Sequence, residues 1–221
     1  CDGLEEIGET AFSGCKSLKN LKVPFTVKEI GEAAFAGCVR LEEMELCEGL
    51  ERIERGAFSG CTSLKRFKVP STVKKIGNNA FRWCAQLVEL EVCEGLIYFG
   101  KHAFRGCKSL KRFEVPSTVK EVGEAAFQNC WQLEEVELCE GLERIECSAF
   151  SGCTSLKPFK VPSTVKAIGE GTMSHQLWSR RDIEKSLADG KKMEVEKVEQ
   201  GDGEKKRKRK DGDRDDVKRQ R

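Results

Sequence analysis

Residues 57–79 read AFSGCTSLKRFKVPSTVKKIGNN, and this 23-residue unit decides the fold because it returns in register along most of the chain. Its cysteine recurs at Cys15, Cys38, Cys61, Cys84, Cys107, Cys130 and Cys153, each 23 residues after the last and each shortly after an Ala-Phe pair. A fixed period of this length is the signature of a solenoid, in which one coil cannot bury its apolar face alone and stacks on copies of itself.

Outward from the cysteine, Leu18, Leu41, Leu64, Leu87, Leu110, Leu133 and Leu156 open an L-x-x-[LMFV]-x-[VL] segment whose period-two ending predicts a short strand. Strands that each arrive after a full coil run parallel, so seven are expected side by side, about 4.8 Å apart. The rest of the coil returns Val27, Ile30 and Phe35, or their equivalents Leu50, Ile53 and Phe58, to the same interior. The A-F-x-G-C stretch is too short for a regular helix and is expected as a single helical or 3₁₀ turn on the opposite face. The predicted fold class is an α/β solenoid of seven 23-residue coils, with a parallel sheet on one face and short helical turns on the other.

The pattern L-x-x-[LF]-x-[VL]-P-x-x-V-x-x-[IV]-G-x-x-A-F-x-x-C, present at residues 64–84 and 110–130, resembles the BspA-type leucine-rich repeat. The resemblance extends over residues 1–171. It implies a right-handed solenoid and a role in protein recognition, in bacteria and protists often at the cell surface. It implies no catalytic residue.

A slower period of 46 residues runs beneath the first. Cys1, Cys47, Cys93 and Cys139 begin C-[DE]-G-L, whereas Pro24, Pro70, Pro116 and Pro162 mark the coils between. The outward strand positions alternate in charge with the same beat: Lys19 and Lys22, then Glu43 and Glu45, then Arg66 and Lys68, then Glu89 and Glu91. Arg112 and Glu114, Glu135 and Glu137, and finally Lys160 continue the series. Opposite charges on adjacent strands attract, so the stripes hold identical coils in register and keep them soluble. The same residues are the candidate interaction face, a zwitterionic surface for a protein partner of unknown identity.

Lys and Arg total 39 against 37 Asp and Glu, and the basic excess sits after residue 171. A near-neutral striped body offers phosphates no continuous positive path, so nucleic acid is not an expected partner of the repeats. No apolar run approaches the roughly 18 residues of a membrane span.

Catalytic groups are scarce. No aspartate stands between Asp2 and Asp182, and His102 is the one histidine of the repeats, at a variable turn where it reads as a solvated residue. No catalytic residue, cofactor, small-molecule substrate or metal is predicted. Residues 95–102, GLIYFGKH, approach a phosphate-binding loop, but Gly95 repeats Gly49 and Gly141, and Gly100 repeats Gly77 and Gly123. Those glycines serve the coil turns. The cysteine column is read as small buried residues rather than disulfides or zinc ligands, since the C-x₈-C pairs lie at opposite ends of a strand. Cys147 departs from both cysteine columns and is expected to be the exposed thiol.

The repeat breaks after Gly169. Residues 172–189 are expected to form an amphipathic capping helix, and residues 190–221 a disordered tail. The tail carries Lys205, Lys206, Arg207, Lys208, Arg209 and Lys210, a run that resembles a nuclear localisation signal and would engage an import receptor. Because Cys1 enters in mid-repeat, the chain reads as an N-terminally incomplete piece of a longer protein. The expected function is a non-catalytic protein-interaction scaffold in the cytoplasm or, through the tail, the nucleus. The alternative is a cell-surface or secreted adhesion module, if a signal peptide lies upstream.

Overall fold

The computed structural model describes residues 3–172. The expected capping helix at 172–189, apart from Thr172, and the tail at 190–221 lie outside the described residues, as does the run from Lys205 to Lys210. The first coils contain β1 (Glu6–Ile7), β2 (Asn20–Lys22), β3 (Glu29–Ile30), β4 (Glu43–Glu45), β5 (Arg52–Ile53), β6 (Arg66–Lys68) and β7 (Lys75–Ile76). There follow β8 (Glu89–Glu91), β9 (Tyr98–Phe99), β10 (Arg112–Val115), β11 (Glu121–Val122), β12 (Glu135–Leu138), β13 (Arg144–Ile145) and β14 (Ala167–Ile168). Coils are numbered here by their cysteine, from coil one at Cys15 to coil seven at Cys153.

The chain is a parallel-strand solenoid, but its continuous sheet is not where the strand pattern places it. The unbroken ribbon has eight strands in the order β1-β3-β5-β7-β9-β11-β13-β14, each a two-residue strand that in most coils ends at the Ile of the I-G turn or its equivalent. Its inward residues stack Ile7, Ile30, Ile53, Ile76, Phe99, Val122 and Ile145, all buried. The expected seven-stranded sheet is instead three doublets, β2–β4, β6–β8 and β10–β12. Each doublet joins a proline coil to the C-E-G-L coil after it, so the break follows the 46-residue period. Coil seven has no strand at this register, where Pro158 supplies no backbone N–H.

Side chains bridge the breaks between doublets. Ser71 of coil three donates its hydroxyl to Glu48 of coil two at 2.9 Å. Thr72 donates to the Leu50 carbonyl at 2.6 Å and accepts from the Gly49 N–H at 3.0 Å. The same clip recurs with Ser117 and Glu94 between coils four and five, and with Ser163 and Glu140 between coils six and seven. Hydrogen bonds from the hydroxyl and N–H of Ser71 hold Glu48 below the usual carboxylate range. Those from the N–H and hydroxyl of Ser117 and of Ser163 do the same for Glu94 and Glu140.

No helix occurs among the described residues, so the expected helical turns are corrected. The hydrogen bonds give the reason. Ala33, Phe35 and Gly37 send their N–H groups to Arg55, Ala57 and Ser59 of the next coil. Only the alternate residues, Ala34, Ala36 and Cys38, close turns onto the carbonyls three residues back. A helix needs consecutive N–H groups turned inward along the chain. Here every second one is committed to a neighbour.

Within the coils Phe35, Phe58, Phe81, Phe104, Phe127 and Phe150 form a buried column. Successive rings stack with centroids 5.1–5.8 Å apart. Phe67 wedges edge-on between Phe58 and Phe81 at 4.9 and 4.8 Å. Beside this column, Cys38, Cys61, Cys84, Cys107, Cys130 and Cys153 are buried, as their small-residue reading requires. Each thiol also donates to a phenylalanine carbonyl of the preceding coil, at 3.1–3.2 Å. Burial pushes the Cys61 and Cys107 thiols up to about 12, so they stay protonated and able to donate. Cys15 breaks the column, being exposed, whereas Cys147 is half-buried; the exposed thiol of the described residues is thus Cys15.

Candidate interaction face

The strands of the doublets other than β2, which carries Asn20 and Lys22, alternate a buried residue with two outward charges, because side chains of a strand point to opposite sides in turn. The parallel register sets those charges directly opposite one another: Arg66 faces Glu89, Lys68 faces Glu91, Lys22 faces Glu45 and Arg112 faces Glu135. All four form ion pairs, at 3.1, 3.7, 3.0 and 3.0 Å. Where one doublet meets the next coil the pairing moves one residue earlier, with Lys65 to Glu42 and Lys157 to Glu134 both at 3.1 Å.

The first two doublets together line a depression of about 690 Å³. Its walls carry Lys22, Glu43, Glu45, Arg66, Lys68, Glu89 and Glu91, all named from the sequence, and Leu21, Met44 and Phe67 lie between them. Arg112, Glu114, Glu135 and Glu137 extend the same strand face on the third doublet. Lys19 precedes β2 and Lys160 lies on the strandless coil seven, both outside the depression. The sequence alternation fails at one point. Glu114 stands opposite Glu137 in register, where coils one and three have Lys22 and Lys68, and together with Glu94 these carboxylates help burial to raise the Cys139 thiol.

A second charged ladder, on the outward side of the eight-stranded ribbon, escapes the strand pattern. Arg52 pairs with Glu29, Lys75 with Glu54 at 3.0 Å, and Arg144 with Glu146 at 2.9 Å. The signal for it was the residue before each I-G turn, which is charged in most coils.

His102, expected to be solvated, is half-buried with a lowered pKa, chiefly from burial and then from the Arg105 charge. In residues 95–102, Gly95 has φ +108°, and Leu96 and Phe99 are buried, so the segment is a coil turn and not a phosphate cradle. Among the described residues no group of His, Cys, Asp and Glu is arranged to hold a metal, and no helix is long and apolar enough to cross a membrane.

The family model for the BspA type leucine rich repeat region matches in six copies, over residues 2–107 and 74–189. No curated protein matches the chain. Among solved structures the chain is similar to a leucine-rich repeat protein from Bacteroides ovatus, at 32% identity and TM-score 0.70. That match covers 75% of this chain but 43% of the Bacteroides ovatus protein, so the chain spans less than half of that relative's length. It is also similar to a leucine rich repeat protein from T. pallidum, at 34% identity and TM-score 0.66, covering 71% of this chain and 74% of that one. A leucine rich cell surface protein from Faecalibacterium prausnitzii is similar at 25% identity and TM-score 0.50, covering 77% and 55%.

Proposed function

We propose that this chain, which belongs to the BspA-type leucine-rich repeat family, is the recognition module of a cell-surface protein and binds a protein partner through its strand face. The observation that carries the reading is the depression over the first two doublets, where seven charges set by the 46-residue alternation converge. Such a surface gives a partner orientation and register through charge, while Met44 and Phe67 are buried in the core beneath it. The described residues offer His102 as their one histidine, with its Nδ1 buried, and the repeat architecture is read as non-catalytic.

The similarity to the cell surface protein of Faecalibacterium prausnitzii supports the surface reading over the intracellular one. The nuclear destination rests on Lys205 to Lys210, outside the described residues, and has no relative beside it. Two measurements test the proposal together. Antibody against the repeats should label intact source cells, and purified chain should bind a member of an array of extracellular proteins. The Arg66→Ala, Lys68→Ala, Glu89→Ala, Glu91→Ala variant should lose that binding with its thermal transition nearly kept. Labelling confined to nuclei, or undiminished binding by the variant, refutes it.

A further inference from the structure

The A-F-x-x-C turn reads AFSGC or AFAGC in coils one, two, three and seven, but AFRWC, AFRGC and AFQNC in coils four, five and six. The departures are consecutive, so they meet on one edge of the solenoid, away from the strand face. They are also costly. Trp83 takes the left-handed position, φ +63°, held by glycine in coils one, two, three, five and seven and by Asn129 in coil six. A bulky side chain there is a backbone outlier, the kind of strain that gathers at functional sites.

Trp83 and Trp131 are both exposed, at 36% and 48%. Cations lie over both rings: Arg82 and Arg105 have Cζ 5.7 and 6.0 Å from the Trp83 centroid, and Lys108 has Nζ 4.5 Å from that of Trp131. On the strand face the cations of the doublets are neutralised by carboxylates, but none of these three makes an ion pair with a described residue. The four buried side-chain polar atoms without a partner among the described residues are Asn79 Oδ1, Arg82 Nε, His102 Nδ1 and Arg105 Nε, all in coils four and five. In a fold that satisfies its buried polar groups, such a cluster calls for an explanation. Re-aiming either arginine at a ligand breaks no bond through its Nε.

We infer that this turn edge is a second binding site, for an acidic segment of a protein partner. A guanidinium over a ring can still offer its two terminal Nη groups to a carboxylate, and exposed tryptophan with arginine is the composition of interface hot spots. The unneutralised charge selects an acidic segment, and the rings take its apolar side chains.

The repeat itself supplies folded controls. Trp83→Gly, Arg105→Ser and Trp131→Thr each install the residue that other coils carry at that register, so the triple variant should keep or raise the thermal transition. Fluorescence polarisation with labelled octapeptide EEFEEFEE should show binding to the full chain and loss of roughly tenfold or more in affinity for the triple variant. The strand-face variant at Arg66, Lys68, Glu89 and Glu91 should bind that peptide unchanged, which separates this site from the proposed one. Failure of EEFEEFEE to bind, equal binding of KKFKKFKK, unchanged affinity in the triple variant, or binding of alginate in place of the peptide would each overturn the inference.

Discussion

The interior of the coils and their strand face obey different periods. Inside, Phe58, Phe81 and Phe104 repeat every 23 residues and are buried alike, because each coil presents the same surface to its neighbours. On the face, basic and acidic strands alternate every 46 residues, and the hydrogen-bonded sheet breaks with the same beat. The lesson is that apolar packing tolerates identical neighbours, whereas charge does not: a stack of identical charged coils would set like against like.

The largest blow to the interior is Phe81→Ala. Phe81 touches rings above, below and beside it, at 5.2, 5.8 and 4.8 Å. Truncating a buried phenylalanine costs about 3–5 kcal/mol, and the defect sits in the middle of the stack, where each coil depends on both neighbours. Denaturant titration should show that loss; a change below about 1 kcal/mol would mean that the column contributes little.

Cys84→Ala is a smaller cut at the same interior. It removes the thiol that donates to the Phe58 carbonyl at 3.2 Å and leaves a small void. That carbonyl still accepts from the Cys61 N–H at 3.2 Å, so it is not orphaned. The expected loss is about 1–2 kcal/mol by the same titration. A neutral result would make the cysteine a filler and the thiol bond incidental.

The interior was legible in the sequence because period alone forces equivalent residues into equivalent environments. Ile53 and Phe58 could be placed inward without knowing how the coils step. The location of the unbroken sheet was not legible, since a strand of two residues such as β7 is too short to show alternation. The apparent helical turn was misread for a related reason: the choice of Phe35 to donate to Ala57 rather than along its own chain is made by the neighbouring coil. The ion pairs of the strand face followed from the charge stripes, but the clip of Ser71 on Glu48 did not, because it joins two turns on different coils. Trp83 departs from the glycine of its register, but one turn residue alone does not reveal that Arg105 of the next coil lies over its ring.

The finest test of the comparison lies at the point where the alternation fails. Glu135→Lys removes the partner of Arg112 at 3.0 Å and the 3.6 Å contact with Lys157, and places three cations together. It should lower the melting temperature by about 2–4 °C at low salt, less than either core truncation, and recover in 1 M salt, where screening shortens to about 3 Å. Glu114→Lys should do the opposite. It restores the residue type of Lys22 and Lys68 at that register and sets a cation against Glu137 in place of a like charge. Both positions are on the same doublet, so packing differences largely cancel between the two variants. A small rise for Glu114→Lys, fading with salt as the Glu135→Lys loss fades, is what a face ordered by charge requires. Equal losses at both positions, insensitive to salt, would show that the face is held in register by the backbone and the serine clips, with the stripes following rather than directing it.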